Sequence, residues 1–193
     1  MSDSSQQVPI DEATHEVALA SRRVALLHIA YARMLVDEFG PERGREMIGE
    51  AIRAYGQRIG DEVRAAVEAQ GLDPTPENYG AGSSRQLPAF GMCASVKHAD
   101  VDGERRLRVH GCVMGEAWRE IGEADLGRLY CLVDAAKHIA YDGTHTLAHA
   151  ATTPDGDDYC EFCLRRATPR EIEAFDNHDR AWVNADRCDP EDS

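Results

Sequence analysis

The sequence predicts an α+β protein: an N-terminal helical pair, then an antiparallel sheet of hairpins packed against a core helix. Three observations carry this. Up to residue 72 the apolar residues recur at helical period. Beyond residue 88 the pattern becomes short alternating runs broken by turn residues, as in hairpins. Between two such hairpin patterns lies "ADLGRLYCLVDAAKHIA", too long and too apolar for a strand. Helices, hairpin, helix, hairpin is an α+β order, unlike the strand–helix alternation of a nucleotide-binding sheet. No glycine-rich phosphate loop occurs where such a sheet would need one.

The elements follow in order. Residues 1–10 read as a frayed tail. Residues 11–72 form the helical region: "EVALASRRVALLHIAYARMLVDEF" is stopped by Gly40-Pro41. A second helix starts with Pro41 in the first turn and ends at Gly71. Its interior glycines, Gly49, Gly56 and Gly60, cost helix propensity and call for close packing or a break. Residues 73–88, rich in Pro, Gly and Ser, read as a linker loop. Residues 89–180 form the α+β region. "AFGMCASVKHAD" and "RRLRVHGCVM" make a first hairpin, and "GEAWREIG" makes a short helix. The core helix follows. "HTLAHAATT" and "DYCEFCLRR" form a second hairpin around "PDGD". "TPREIEAFDNHDRAW" opens as a capped helix with Pro169 in its first turn. Residues 181–193 read as a loose acidic tail. The whole is expected to be one compact domain, since 193 residues suffice for a core without staples.

Composition narrows the function. Apolar residues make up 42% of the chain and charged ones 29%, with no apolar run of membrane-spanning length. The polar start "MSDSSQQVPIDEAT" lacks a secretory pattern. A net charge of −14 repels phosphates and anionic surfaces, so neither nucleic acid nor membrane is expected as a partner. A small-molecule substrate and self-association through the N-terminal helices are the expected contacts. The six cysteines, with no secretory signal, suggest a cytoplasmic protein whose cysteines are thiols, metal ligands or core filler.

Three constellations could carry chemistry. Cys131, Asp134 and His138 fall on one helical stripe. A thiol beside a carboxylate and an imidazole suits nucleophilic catalysis. The bland alternative is a core thiol, a first-turn carboxylate and a helix-end histidine. His110 and Cys112 share a strand face in "RVHGCVM". Cys160 and Cys163 have metal-knuckle spacing, but on a strand they point to opposite faces. Trp118 and Trp182 read as packing anchors.

"HGCVMGEAW", "GRLYCLVDAA" and "TLAHAATTPDGDDYCEFCLRRA" resemble the L-2-amino-thiazoline-4-carboxylic acid hydrolase family, and the helical stretch "YARMLVDEFGPERGREMIGEAIRAYGQRIG" is similar to its N-terminal half. The likeness runs from about Val17 to Ala167. The "PDGDDYCEF" hairpin is also similar to the end of 4-vinyl-reductase-like small-molecule-binding domains. The first resemblance implies a cysteine-dependent hydrolase that opens a cyclic isothiourea to S- or N-carbamoyl-cysteine. It implies catalytic roles for Cys112, Cys131, Asp134 and Cys160. His110, His138 and Trp118 are expected to bind substrate. Two mechanisms fit. Cys131 could attack the C=N carbon, with Asp134 shuttling protons and His138 or His110 as activator. Alternatively Cys112, Cys131 and Cys160, with His110, could hold zinc or iron that activates water. The cofactor is thus either none or such a divalent metal. The second resemblance implies a small-molecule or metal-binding module. A looser likeness to organomercurial lyases implies thiol chemistry on a carbon–heteroatom bond.

Overall fold

The computed structural model describes residues 8–85 and 88–189. Residues 1–7 of the expected tail, 86–87 of the expected linker and 190–193 of the acidic end lie outside the described residues.

Two long helices open the chain, α1 (Ile10–Phe39) and α2 (Pro41–Glu68), joined through Gly40. On α1 the buried residues are Ser21, Ala25, Ile29 and Ala32, a narrow stripe of mostly small side chains. Small residues let neighbours approach closely, and the Trp118 indole N–H donates to the Ala25 carbonyl at 3.0 Å. Val24, Leu27, Tyr31 and Met34 lie on the opposite side of α1 and are exposed. The second helix is unbroken, and of its interior glycines Gly56 and Gly60 answer to packing, whereas a Cβ on Gly49 would meet open space. A Cβ on Gly56 would collide with Ala136, and one on Gly60 with the Lys137 carbonyl.

The expected linker is ordered in its centre. Pro76–Arg85 forms a 3₁₀ helix lying on α2, with Gly82 against Val63. The first hairpin is β1 (Ser95–Val101) and β2 (Glu104–His110), turning at Asp102-Gly103. Gly111, at φ +63°, swings the chain into α3 (Val113–Glu120). Then come α4 (Ala124–Gly127), a 3₁₀ turn (Arg128–Leu132) and α5 (Val133–Asp142). The single core helix expected over this stretch is therefore broken into three. Gly127, at the break, presses on the Trp118 ring, where a Cβ has no room.

The second hairpin pairs β3 (His145–Ala151) with β4 (Tyr159–Arg166), and α6 (Pro169–Asp176) starts in a full capping box at Thr168 and Glu171. The sheet is antiparallel throughout, in the order β1-β2-β4-β3. This is the α+β architecture expected, with α1 packed on α2 and α3, α2 packed on α5, and α5 packed on β3.

The chain end departs from the loose tail expected. Arg180–Asp186 is a 3₁₀ helix with Trp182, Ala185 and Asp186 buried. Thr146 donates to the Ala185 carbonyl, and His149 bridges to Arg187 beyond the edge strand. Cys163 and Cys188 form a disulfide across 25 residues. The expectation that the cysteines are thiols, ligands or filler therefore fails for this pair. No helix among the described residues is long and apolar enough to cross a membrane.

Candidate active site

A cavity of about 560 Å³ lies between α5 and the sheet. Its floor is mostly apolar, from Leu107, Val109, Leu147, Phe162 and Leu164, with His98 of β1 at the edge beside Leu107. Strand alternation explains this, because Phe162 and Leu164 share one face of β4 and pair with Leu107 and Leu147. Its polar wall is the first turns of α5, with Asp134, Lys137 and His138. Tyr79, on the 3₁₀ helix over α2, closes one side and stacks on His138 at 4.4 Å. The Tyr79 hydroxyl is buried without a hydrogen-bond partner.

Asp134 is the hinge of the polar groups. Lys137 donates to its Oδ1 at 2.5 Å, and His149 Nε2 lies 3.6 Å from its Oδ2. His149 Nδ1 meets Asp186 Oδ1 at 2.6 Å, and Arg128 donates to Asp186 Oδ2 at 2.5 Å. The result is a continuous line of Lys137, Asp134, His149, Asp186 and Arg128, buried at His149 and Asp186 and half-buried at the other three. Burial alone would raise the Asp134 pKa, but Lys137 and then His149 outweigh it and hold the carboxyl below its usual range. Burial likewise opposes charge on His149, yet Asp186 and Asp134 raise its pKa overall. His138 behaves oppositely: burial and the nearby Lys137 push it down to about 4.

The free cysteines divide sharply. Cys112 caps α3, accepting from the Gly115 N–H at 3.5 Å. Its thiol shares a hydrogen bond with Cys160, which together with burial raises the Cys112 pKa. That bond has the reverse effect on Cys160. With the Thr153 N–H, 3.4 Å away, and the Thr153 hydroxyl, it outweighs burial and holds Cys160 below the ordinary thiol range. Cys131, in the 3₁₀ turn, is raised by burial and by Asp134 and Asp186, with Arg128 only partly offsetting them. Of these thiols, Cys160 is the one whose hydrogen bonds favour ionisation. Cys160 shares its strand face with Phe162 and pairs with Val109, both in the cavity floor.

Cys112, Cys131, Asp134 and Cys160 interact with one another electrostatically on one side of the sheet. His138 lines the cavity, but it is not an activator of Cys131: its Nδ1 is bonded to the Asp134 carbonyl and its other face to Tyr79. Two expected substrate ligands fall elsewhere. His110 alternates with Val109, so it lies on the far face beside Tyr159. Trp118 is 1% exposed and spent on the α1 contact, as a large aromatic in a core must be. The expected ligand set of Cys112, Cys131, Cys160 and His110 is thus split by the sheet. Among the described residues no group of three or more His, Cys, Asp or Glu side chains is disposed to hold a metal ion.

Sequence reasoning missed His149, Lys137, Tyr79 and Asp186. His149 had a signal, a histidine within an apolar strand pattern. His145, four residues earlier, pairs instead with Asp142 at the end of α5. Asp186 had none, because it sits in the acidic end.

The family model of L-2-amino-thiazoline-4-carboxylic acid hydrolase matches residues 20–164, three quarters of the chain and continuous through both helices and both hairpins. The chain belongs to this family. It is accordingly a hydrolase acting on a cyclic, thiazoline-type substrate. The match is to this one family through the C-terminal half, and nothing in it supports a distinct 4-vinyl-reductase-like domain there. No curated protein and no solved structure matches the chain. Asp186, the partner of His149, lies beyond the matched hydrolase region.

Proposed function

We propose that this hydrolase opens an amino-thiazoline-type ring by nucleophilic attack from Cys160. The observation that carries the reading is the contrast between two thiols: hydrogen bonds favour a thiolate on Cys160, and burial opposes one on Cys131. The Cys160 sulfur adds to the C=N carbon, and that electron pair moves to the ring nitrogen, which takes a proton from His149. Collapse then breaks a ring bond from that carbon, to sulfur or to nitrogen, leaving the opened substrate on Cys160. Water adds to the same carbon, gives its proton to the His149–Asp134 pair and expels the Cys160 thiolate. The sum is substrate plus water, giving an S- or N-carbamoyl amino acid. Asp134 holds the imidazole from one side and Asp186 from the other.

Turnover of 2-amino-thiazoline-4-carboxylate tests this directly. Cys160→Ser should lose activity at least about a hundredfold, since a hydroxyl has no thiolate to offer at neutral pH. Cys131→Ser should keep activity within a few fold. The opposite ranking would transfer the nucleophile to Cys131.

We also infer self-association through α1. The exposed seam of Val24, Leu27, Tyr31 and Met34, spaced by three and four residues, supports it.

A further inference from the structure

The cavity is larger than the family's named substrate requires. A volume of 560 Å³ lies within the range of roughly 300–1,000 Å³ that holds drug-sized ligands. One small ring with an amino group and a carboxylate fills only part of that. The surplus is one-sided. The polar groups Asp134, Lys137 and His138 line the α5 wall, while the floor formed by the sheet is mostly apolar, Leu107, Val109, Leu147, Phe162 and Leu164, with His98 of the edge strand β1 beside Leu107. An unoccupied apolar floor contributes nothing to a small polar substrate, whereas a hydrocarbon group laid on it leaves water favourably.

A second observation concerns the opposite side. The Tyr79 hydroxyl is buried and unpaired, and Tyr79 lines the cavity across from the sheet. An unsatisfied buried hydroxyl costs free energy, which a ligand acceptor beside it would relieve.

We propose that the substrate is a thiazoline-type ring bearing an aromatic or extended alkyl substituent, with the ring at the Asp134 end and the substituent on the Leu107–Leu147–Phe162 floor. This rests on the hydrolase reading above. The Tyr79 hydroxyl then donates to a polar atom of the ligand, and Lys137 faces its carboxylate. Specificity resides in the floor, and the chemistry resides in Cys160, Asp134 and His149.

Calorimetric titration of the full chain separates affinity from turnover. The probes are thiazole-4-carboxylate and 5-phenyl-thiazole-4-carboxylate, aromatic counterparts that resist ring opening. The phenyl compound should bind at least about tenfold more tightly, a modest return for burying one ring face. Leu147→Phe should remove most of that preference by filling the floor. Tyr79→Phe should weaken both compounds about equally, and it removes no carbon from the packing. Equal or weaker binding of the phenyl compound to the wild type overturns the proposal, whatever the variants do. Turnover of plain 2-amino-thiazoline-4-carboxylate with no phenyl preference would sink this inference and leave the hydrolase reading intact. A phenyl preference without turnover of any thiazoline would uphold the apolar ligand class and remove the Cys160 mechanism instead.

Discussion

At the scale of single residues, the two histidines beside Asp134 show how burial alone does not decide a charge. His149 has carboxylates on both ring nitrogens and keeps a raised pKa, while His138 has one backbone carbonyl and a tyrosine ring and drops to about 4. His138 therefore links stability to pH. Between its unfolded value of 6.5 and about 4, the unfolded chain binds a proton that the folded chain refuses. Stability contributed by neutral His138 is present above that window and is lost as pH falls through it, by about 3 kcal/mol at most. Denaturant melts at pH 7 and pH 4 check this, comparing wild type with His138→Gln. The wild type should lose more stability than the variant over that interval. An identical loss in both would mean that His138 already titrates normally. The thiols teach the same lesson. Cys131 and Cys160 look alike in sequence, yet one lies among apolar atoms and carboxylates and the other among hydrogen-bond donors.

At the scale of elements, α1 presents two opposite stripes. The inner one is small and packed; the outer one, Val24, Leu27, Tyr31 and Met34, has the three-and-four spacing of a coiled-coil seam and stays exposed among the described residues. If α1 pairs with its copy, Leu27→Glu together with Tyr31→Glu should halve the mass measured by light scattering and leave the helical circular dichroism unchanged. A wild-type monomer at the same concentration would rule the seam out as a dimer contact. Helix positions were legible in the sequence because periodicity and Gly40-Pro41 are local signals. So was the first hairpin, whose Asp102-Gly103 turn supplies two residues at positive φ. The break around Arg128–Leu132 was not legible. It arises where Gly127 meets Trp118, a contact between distant parts of one core. The glycines of α2 were legible as anomalies, but only the nearness of α5 explains Gly56 and Gly60. For the site, the motif residues Cys112, Asp134 and Cys160 could be picked by resemblance, whereas their ranking depends on hydrogen bonds that no spacing reveals.

At the scale of the whole molecule, the chain end is part of the site. Asp186 lies outside the family-matched stretch, yet it holds His149 at 2.6 Å and Arg128 at 2.5 Å. What keeps it there is chiefly the Trp182–Ala185 packing and the Cys163–Cys188 bond two residues further on. That bond closes a loop of 25 residues, which in the chain-entropy account contributes about 3 kcal/mol. Stability and activity should therefore fall together when it is removed, but for separable reasons. Cys188→Ser should lower the denaturation midpoint, and Asp186→Asn should leave the disulfide in place and still slow turnover. A neutral amide cannot hold His149 protonated as a carboxylate does, so Asp186→Asn should also shift the pH–rate profile to lower pH on its alkaline limb. Cys188→Ser should reproduce that shift only in part, since the Trp182 anchor remains buried. Full activity in Asp186→Asn with an unmoved profile would reduce the chain end to a structural strap and leave Asp134 as the sole carboxylate acting on His149.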